Sequence, residues 1–158
     1  METIFEGDER SETNLTRQAL AFFVHSLLAL GAWLAMMLAG YAIDPANVPQ
    51  WAIFLLSFAV PMMVALIAVR LYPSEMASAI WLLGLIWMLL VSLWVLDMPT
   101  GPNQCFQCVA TEKLARTFFS WPRPSGLIDN DGPFLGTWPT AALAGYSMGA
   151  RFAFRKRS

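Results

Sequence analysis

The sequence predicts an all-α fold: an integral membrane four-helix bundle with both termini in the cytoplasm and one long outer loop carrying a short interfacial helix. The composition favours a membrane protein, because 57% of the residues are hydrophobic and only 13% are charged, about half the charged share of typical globular domains. Residues 76–96 contain no charged side chain. A helix of that length reaches about 30 Å, the thickness of a bilayer's hydrocarbon core. Three further apolar segments complete the four predicted spans.

The chain begins with an acidic segment, residues 1–16, which we expect to form a cytoplasmic tail. Thr13 or Asn14 supplies the side-chain oxygen of a helix N-cap. The first predicted span follows over residues 17–43. The acidic segment lacks the positive charge and short apolar run of a cleavable signal peptide, so we expect the first span to be retained.

The second and third predicted spans cover residues 51–70 and 76–96. Pro61 lies near the middle of the second span and removes one backbone hydrogen bond, so we expect a kink there. The connections on either side of the second span are short and contain proline. Short connections make consecutive spans antiparallel neighbours.

The outer loop is predicted to cover residues 97–137, with a short amphipathic helix over residues 104–120. Leu114, Phe118 and Trp121 are spaced by four and three residues and therefore share one helical face. Because the charged residues are expected away from that face, the pattern predicts a helix lying in the headgroup plane. These charged residues are Glu112, Lys113 and Arg116.

The last predicted span, residues 138–154, is the weakest of the four, and a re-entrant hairpin is the alternative interpretation. A basic cytoplasmic tail follows at residues 155–158. Small residues recur at every fourth position of the last span, a spacing that lets another helix approach closely. The predicted helix-packing residues are Ala141, Gly145 and Gly149.

The distribution of lysine and arginine sets the orientation, because cytoplasmic segments carry an excess of these residues. More basic residues lie at the two termini and the second turn than in the loop 97–137. We therefore expect a protein of the bacterial inner membrane with cytoplasmic termini and a periplasmic or extracellular loop. Anionic lipid headgroups are the expected partners of the basic C-terminal residues, which are Arg151, Arg155, Lys156 and Arg157.

The only two cysteines, Cys105 and Cys108, form a Cys-x-x-Cys motif in the predicted outer loop. In an oxidising compartment we expect them to form a disulfide that pins the loop; free thiols and half of a shared metal site are the alternatives. With Asn103 as N-cap, Cys105 would lie in a first helical turn, where the helix dipole favours the thiolate. Since the chain has one histidine, it cannot complete a zinc site alone, and no metal is predicted.

The Cys105–Cys108 motif on a four-span chain resembles the quinone-linked membrane oxidases of the DsbB and vitamin K epoxide reductase type. The resemblance covers one motif and the number of spans. It implies thiol–disulfide redox chemistry at the two cysteines, with a quinone as cofactor. This chain lacks the second cysteine pair that DsbB-type enzymes use to relay electrons.

His25 is the only histidine and lies within the first predicted span. An ionisable residue inside a membrane is a candidate functional group, and haem or chlorin ligation, a hydrogen bond to a quinone, and a proton step are the possible roles. The favoured interpretation is a neutral histidine bonded to Ser26, Ser57, Ser92 or a backbone carbonyl. The predicted inward face of this span comprises Ala21, His25, Ala29, Ala32, Met36 and Gly40.

The favoured function is non-catalytic: an accessory or assembly subunit that packs against other integral membrane proteins or copies of itself. The small-residue face of the last span and the apolar third span suit such association. The first alternative is a membrane thiol–disulfide or quinone-linked redox protein using Cys105 and Cys108. The second is a small oligomeric channel or carrier for a neutral solute, since Arg17, Arg70 and Arg151 lie near the ends of their spans and no Asp, Glu, Lys or Arg lies in a span's interior to serve a charged solute. With a net charge of −1, no nucleic-acid partner is expected.

Overall fold

Helices account for nearly all of the computed structural model, which describes residues 3–43, 49–98, 109–119 and 136–155. No strand occurs in these ranges, so the predicted all-α class is confirmed. A short 3-10 helix, Glu75–Ser78, lies between the second and third α-helices. In chain order the α-helices are α1 (Thr3–Ile43), α2 (Gln50–Leu71), α3 (Trp81–Asp97), α4 (Ala110–Phe119) and α5 (Thr137–Arg155).

The last helix, α5, forms the centre of the bundle, and all four other α-helices contact it. Most of its residues are buried, among them Leu143, Tyr146 and Ala150. The sequence predicts this segment as the weakest and shortest of the four spans, and many of its side chains are small. Small side chains let several helices approach one helix at once. The same side chains therefore give α5 both its low hydrophobicity and its central position.

The most extensive helix contact joins α2 and α5, and it is a contact between backbones. A Cβ atom at Gly145 would overlap the carbonyl of Phe58, and a Cβ atom at Gly149 would overlap the carbonyl of Met62. Because residue numbers rise together along both helices, α2 and α5 run parallel. Ala141 is buried one turn before Gly145.

Helix α3 runs antiparallel to α5. The backbone N–H of Trp81, at the start of α3, donates a hydrogen bond of 2.9 Å to Ser147 Oγ. One turn later, the position of Gly84 lies against Thr140 and Leu143. Ser147 therefore caps the N-terminus of a neighbouring helix and satisfies one of the amides that a helix start leaves unpaired.

Helix α1 also runs antiparallel to α5. His25 bonds to Tyr146, and Trp33, two turns later, packs in a cluster with Trp138 and Ala142 near the start of α5. Taken in chain order, the four longer helices therefore alternate in direction; these are α1, α2, α3 and α5. The N-terminal side of α1 and the C-terminal ends of α2 and α5 lie at one end of the bundle.

The α-helix of the predicted third span, residues 76–96, begins later than predicted. The 3-10 helix Glu75–Ser78 and a turn come first, and α3 begins only at Trp81. Ala77 and Ile80 have no exposed surface, because they pack into the central cluster that contains α5. The burial of these two residues and the cap from Ser147 of α5 together place the start of α3 at Trp81. The apolar character of residues 76–80 alone predicts an earlier start.

The predicted helix start at Thr13 or Asn14 is also wrong, because α1 begins at Thr3. The segment 1–16, expected as a tail, is therefore helical over its described residues. Glutamate is a good helix former, and acidic residues near a helix N-terminus are stabilised by the helix dipole. The acidic composition that suggests a polar tail thus equally supports a helix.

Helix α4 is shorter than the predicted helix 104–120, since Val109 is not helical. Leu114 and Phe118 do share one face, as predicted, and they pack against Val91 and Val95 of α3. The apolar face of α4 therefore contacts protein, which differs from a helix that rests its apolar face on lipid. Trp121, the third predicted member of that face, lies outside the described residues.

Lys113 differs from the expectation that the charged residues of α4 point away from its apolar face. Its side chain is buried, and its Nζ donates a hydrogen bond of 2.6 Å to the carbonyl of Met98 at the C-terminal end of α3. A cation at a helix C-terminus is favourable because the terminal carbonyls carry partial negative charge. Glu112 and Arg116 form an ion pair of 2.6 Å that is about 40% exposed on each side, and such pairs contribute little to stability.

Among the described residues, two helices are long and apolar enough to cross a membrane by length and composition. These are the segment Asn14–Ala39 of α1 and the segment Trp51–Leu71 of α2. Helix α3 is a shorter apolar helix of 17 residues. Helix α2 continues through Pro61, which is fully buried.

The backbone contact of α2 with α5 predicts that Gly145→Ala destabilises the protein strongly. The added methyl group meets a carbonyl that cannot move without separating the helices, so we expect a loss of at least about 2 kcal/mol. Gly31→Ala is the matched control, because nothing lies within 4 Å of a Cβ atom there; it should be neutral or stabilise by about 0.5–1 kcal/mol. Unfolding in mixed micelles with a denaturing detergent measures both. Equal losses would contradict the close α2–α5 contact.

Candidate functional site

The chief candidate site is a buried polar pair that joins α1 to α5. His25 Nδ1 and the Tyr146 hydroxyl lie 2.7 Å apart, and neither side chain has exposed surface. In the tautomer with a proton on Nε2, the tyrosine hydroxyl donates this hydrogen bond to Nδ1. A hydrogen bond shielded from water in this way is electrostatically stronger than an exposed one.

The second ring nitrogen of His25 is less well satisfied. Nε2 is buried and has no hydrogen-bond partner among the described residues, although the backbone of Tyr72 is close enough to interact with the ring. The Tyr72 and Tyr146 rings lie beside the imidazole, tilted to it by 39° and 57°, with centroid distances of 5.9 and 5.8 Å. Tyr72 is 44% exposed, so its side chain reaches the surface of the bundle beside the buried His25.

None of the three serines expected to satisfy His25 does so. Ser26 and Ser92 each donate to the carbonyl four residues earlier in their own helices, with distances of 2.8 and 2.7 Å. Ser57 is fully buried, and its hydroxyl has no partner within the described ranges. The actual partner is Tyr146. The sequence signal for it is a polar aromatic residue directly after Gly145, within a helix of small residues.

The surroundings of His25 give no support to haem or chlorin ligation. Nδ1 is used by Tyr146, and Nε2 has no exposed surface, so a macrocycle would reach it only if the surrounding helices separated. Within the described parts of the chain, no group of three His, Cys, Asp or Glu side chains could hold a metal ion. A cofactor at His25 stays a prediction, and the geometry favours a structural role for the pair.

Cys105 and Cys108 lie outside the described residues. Their disulfide and the redox alternative therefore stay predictions. Helix α4 begins at Ala110, and the predicted placing of Cys105 at a helix N-terminus also stays a prediction.

Comparison of this chain with protein-family models, with curated proteins and with solved structures finds no match. Evidence on function therefore comes from the physical features of the chain itself. The described residues offer a buried polar pair, a central helix held by backbone contact, and extensive apolar outer faces. Of these, the outer faces bear most directly on function.

The His25–Tyr146 geometry predicts that the two side chains are energetically coupled. Tyr146→Phe leaves Nδ1 buried without a partner, so we expect a loss of about 1–3 kcal/mol. A double-mutant cycle with His25→Leu should give a coupling energy of about 1 kcal/mol, within the range for hydrogen bonds inside membrane proteins. Unfolding in mixed micelles provides the measurement.

The matched control is Tyr72→Phe, which keeps the ring on His25 and removes a hydroxyl from a partly exposed side chain. Its cost should stay within about 0.5 kcal/mol. Zero coupling between His25 and Tyr146 would exclude the pair as a stabilising interaction. A visible absorption band that His25→Leu abolishes would instead favour a bound pigment.

Proposed function

We propose that this protein is a four-span integral membrane protein that acts as a non-catalytic accessory or assembly subunit of a larger membrane complex. The proposal has two parts. The first places the helices in a bilayer, and the second assigns their outer surface to partner proteins. Different observations support each part.

The observation that carries the first part is the exposure of the most apolar helices. Only 28% of the apolar window in α1 and 22% of that in α2 is buried inside the protein. The core helix of a globular domain in water buries most of such a window, and exposed apolar patches of this size mark interaction with lipid or protein. Residues such as Phe23, Leu27 and Ile67 are about 60% exposed.

Contacts of α1 support its retention as a span. Its side chains at His25, Ala29 and Trp33 are buried in the bundle, and His25 is the hydrogen-bond partner of Tyr146. If α1 were removed as a signal sequence, Tyr146 would lose that partner and the central helix would be uncovered on one side. The alternating helix directions are also those that four consecutive spans require.

The charged residues support the proposed orientation. Exposed Arg17, Arg70, Arg151 and Arg155 all belong to the end of the bundle where α1 has its N-terminal side and α2 and α5 end. The positive-inside rule assigns this end to the cytoplasm. Anionic headgroups are the partners we propose for it; Lys156 and Arg157 lie outside the described residues.

Of the two predicted partner surfaces, on α5 and α3, we keep only the surface of α3. The small-residue face of α5 is already buried against α2 within this chain, so it is not free to receive another protein. Helix α3 buries only Gly84, Val91 and Val95. Its outer side is leucine-rich, with Leu89 and Leu93 each 65% exposed, and it is the surface we propose for partner proteins.

The proposed orientation predicts opposite locations for two reporter fusions. After Arg155, a reporter that works only in the cytoplasm should be active and one that works only after export should be inactive. After Asp97, the two results should be reversed. An alkaline phosphatase and a green fluorescent reporter at both positions provide the measurement. Finding both positions on one side of the membrane would exclude the four-span arrangement.

The accessory role predicts a partner that contacts α3. A photo-crosslinking amino acid at Leu93 should capture a larger membrane protein in native membranes, and the same protein should co-purify stoichiometrically in mild detergent. The matched control is the same amino acid at Leu27, which is equally exposed on α1. A chain that purifies alone, with no capture from either helix, would contradict the accessory role.

A further inference from the structure

In the proposed membrane location, His25 is buried in the protein but lies near the surface of the bilayer. Its ring is beside Tyr72, with the ring centroids 5.9 Å apart, and Tyr72 directly follows the last residue of α2. The turn that comes next is polar and contains Ser74 and the exposed Glu75. In a bilayer such a non-helical polar turn belongs at the level of the headgroups. A small opening of the bundle at this level therefore exposes His25 to water.

His25 also contributes much of the attachment of α1 to the bundle. Within its described side chains, α1 buries two large residues, His25 and Trp33. Trp33 packs with Trp138 two turns further along α1. The other buried side chains of α1 are small: Ala21, Ser26 and Ala29. Because the two large contacts lie at different levels, one half of α1 can separate while the other half stays in place.

We propose that the His25–Tyr146 pair is an acid-sensitive latch. When His25 takes up a proton, the part of α1 that precedes Trp33 separates from the rest of the bundle. The cluster around Trp33 holds the other half of α1. The inference rests on the described bundle and on the proposed membrane location, and it is independent of the accessory role.

The hydrogen bond of the pair fits an uncharged His25. With a proton on Nε2 alone, the Tyr146 hydroxyl donates to Nδ1 over 2.7 Å. A second proton, on Nδ1, makes both ring nitrogens donors, so the hydroxyl has to turn and accept. His25 is the hydroxyl's hydrogen-bond partner among the described residues. The hydroxyl's own proton would then be buried without an acceptor, which is unfavourable.

The positive charge of a protonated His25 would also lack a counter-ion. The side chains in contact with the ring are Tyr72 and Tyr146, and no described acidic side chain forms an ion pair with it. The backbone of Tyr72 interacts with the ring, but a peptide dipole replaces only part of the hydration that a buried cation loses. A protonated ring is therefore more stable where it reaches water or headgroups.

The charged residues on the elements packed around His25 do not compensate for that loss. The nearest ones along each element are all exposed: Arg17 of α1, Arg70 of α2, Glu75 of the 3-10 helix and Arg151 of α5. Water and salt screen such exposed charges. Since three of the four are positive, they do not favour a further cation inside the bundle.

Distances between spin labels test the latch on the full-length protein in phosphatidylcholine nanodiscs. Both native cysteines are replaced by serine, so that only introduced cysteines carry labels. One pair, Leu20→Cys with Phe152→Cys, reports on α1 and α5 at the end of the bundle near His25. The reference pair, Leu38→Cys with Leu55→Cys, reports on α1 and α2 at the other end. All four side chains are exposed.

At pH 8 each pair should give one distance. At pH 5 the first pair should gain a second, longer distance and the reference pair should not. An imidazole that reaches water has a pKa of about 6.5, so it is almost fully protonated at pH 5. If the closed latch excludes the proton, the ratio of open to closed protein rises up to about thirtyfold between pH 8 and pH 5. Return to pH 8 should restore the single distance.

His25→Gln is the matched variant, because its amide oxygen can accept from the Tyr146 hydroxyl and the side chain does not titrate. It should give a single distance in the first pair at both pH values. An acid response that His25→Gln retains, or a wild type with no acid response, would overturn the latch. A longer distance in both pairs at pH 5 would also overturn it, because that result indicates general acid unfolding.

The nanodisc experiment separates failure of the latch from failure of the membrane location. A protein that co-elutes with the discs and shows no acid response contradicts the latch alone. A protein that does not co-elute with the discs at pH 8 contradicts the membrane location and, with it, the latch.

Discussion

The arrangement of the bundle depends on the contact between the backbones of α2 and α5. Gly145 and Gly149 bring α5 so close to α2 that a methyl group at either position would strike a carbonyl oxygen. Such proximity strengthens van der Waals packing and weak Cα–H···O contacts, which are the main attractions between helices in a lipid environment. It also fixes the rotation of α5 about its axis, and that rotation determines where the remaining residues of α5 point.

The two residues after Gly145 show the consequence of that rotation. Tyr146 reaches α1 and bonds to His25, while the next residue, Ser147, reaches α3 and caps its first amide. Neighbouring positions on a helix point about 100° apart, so one short segment can hold two different helices. Both polar contacts are specific in position, whereas the apolar contacts around them tolerate sliding. Glycine packing sets the distance between helices, and these hydrogen bonds then set their register.

Much of this fold follows from the sequence, and the exceptions have physical causes. The helices predicted over residues 51–70 and 138–154 agree closely with α2 and α5, because proline and polar residues mark their ends. The start of α3 could not be predicted, since it depends on a cap from Ser147 and on burial of Ala77, both tertiary effects. The sequence predicts His25 as a candidate, but its partner Tyr146 lies 121 residues away. A single sequence contains no signal that pairs the two.

The relation between hydrophobicity and burial supports a bilayer as the proposed environment. Helix α3 consists almost entirely of large apolar residues, yet it buries only Gly84, Val91 and Val95. Helix α5, rich in small residues and carrying Tyr146 and Ser147, is the buried one. In water the cost of exposing α3 would favour the opposite arrangement, because burial of large apolar side chains drives folding. In lipid that drive is absent. Close packing and satisfied polar groups then decide which helix lies inside.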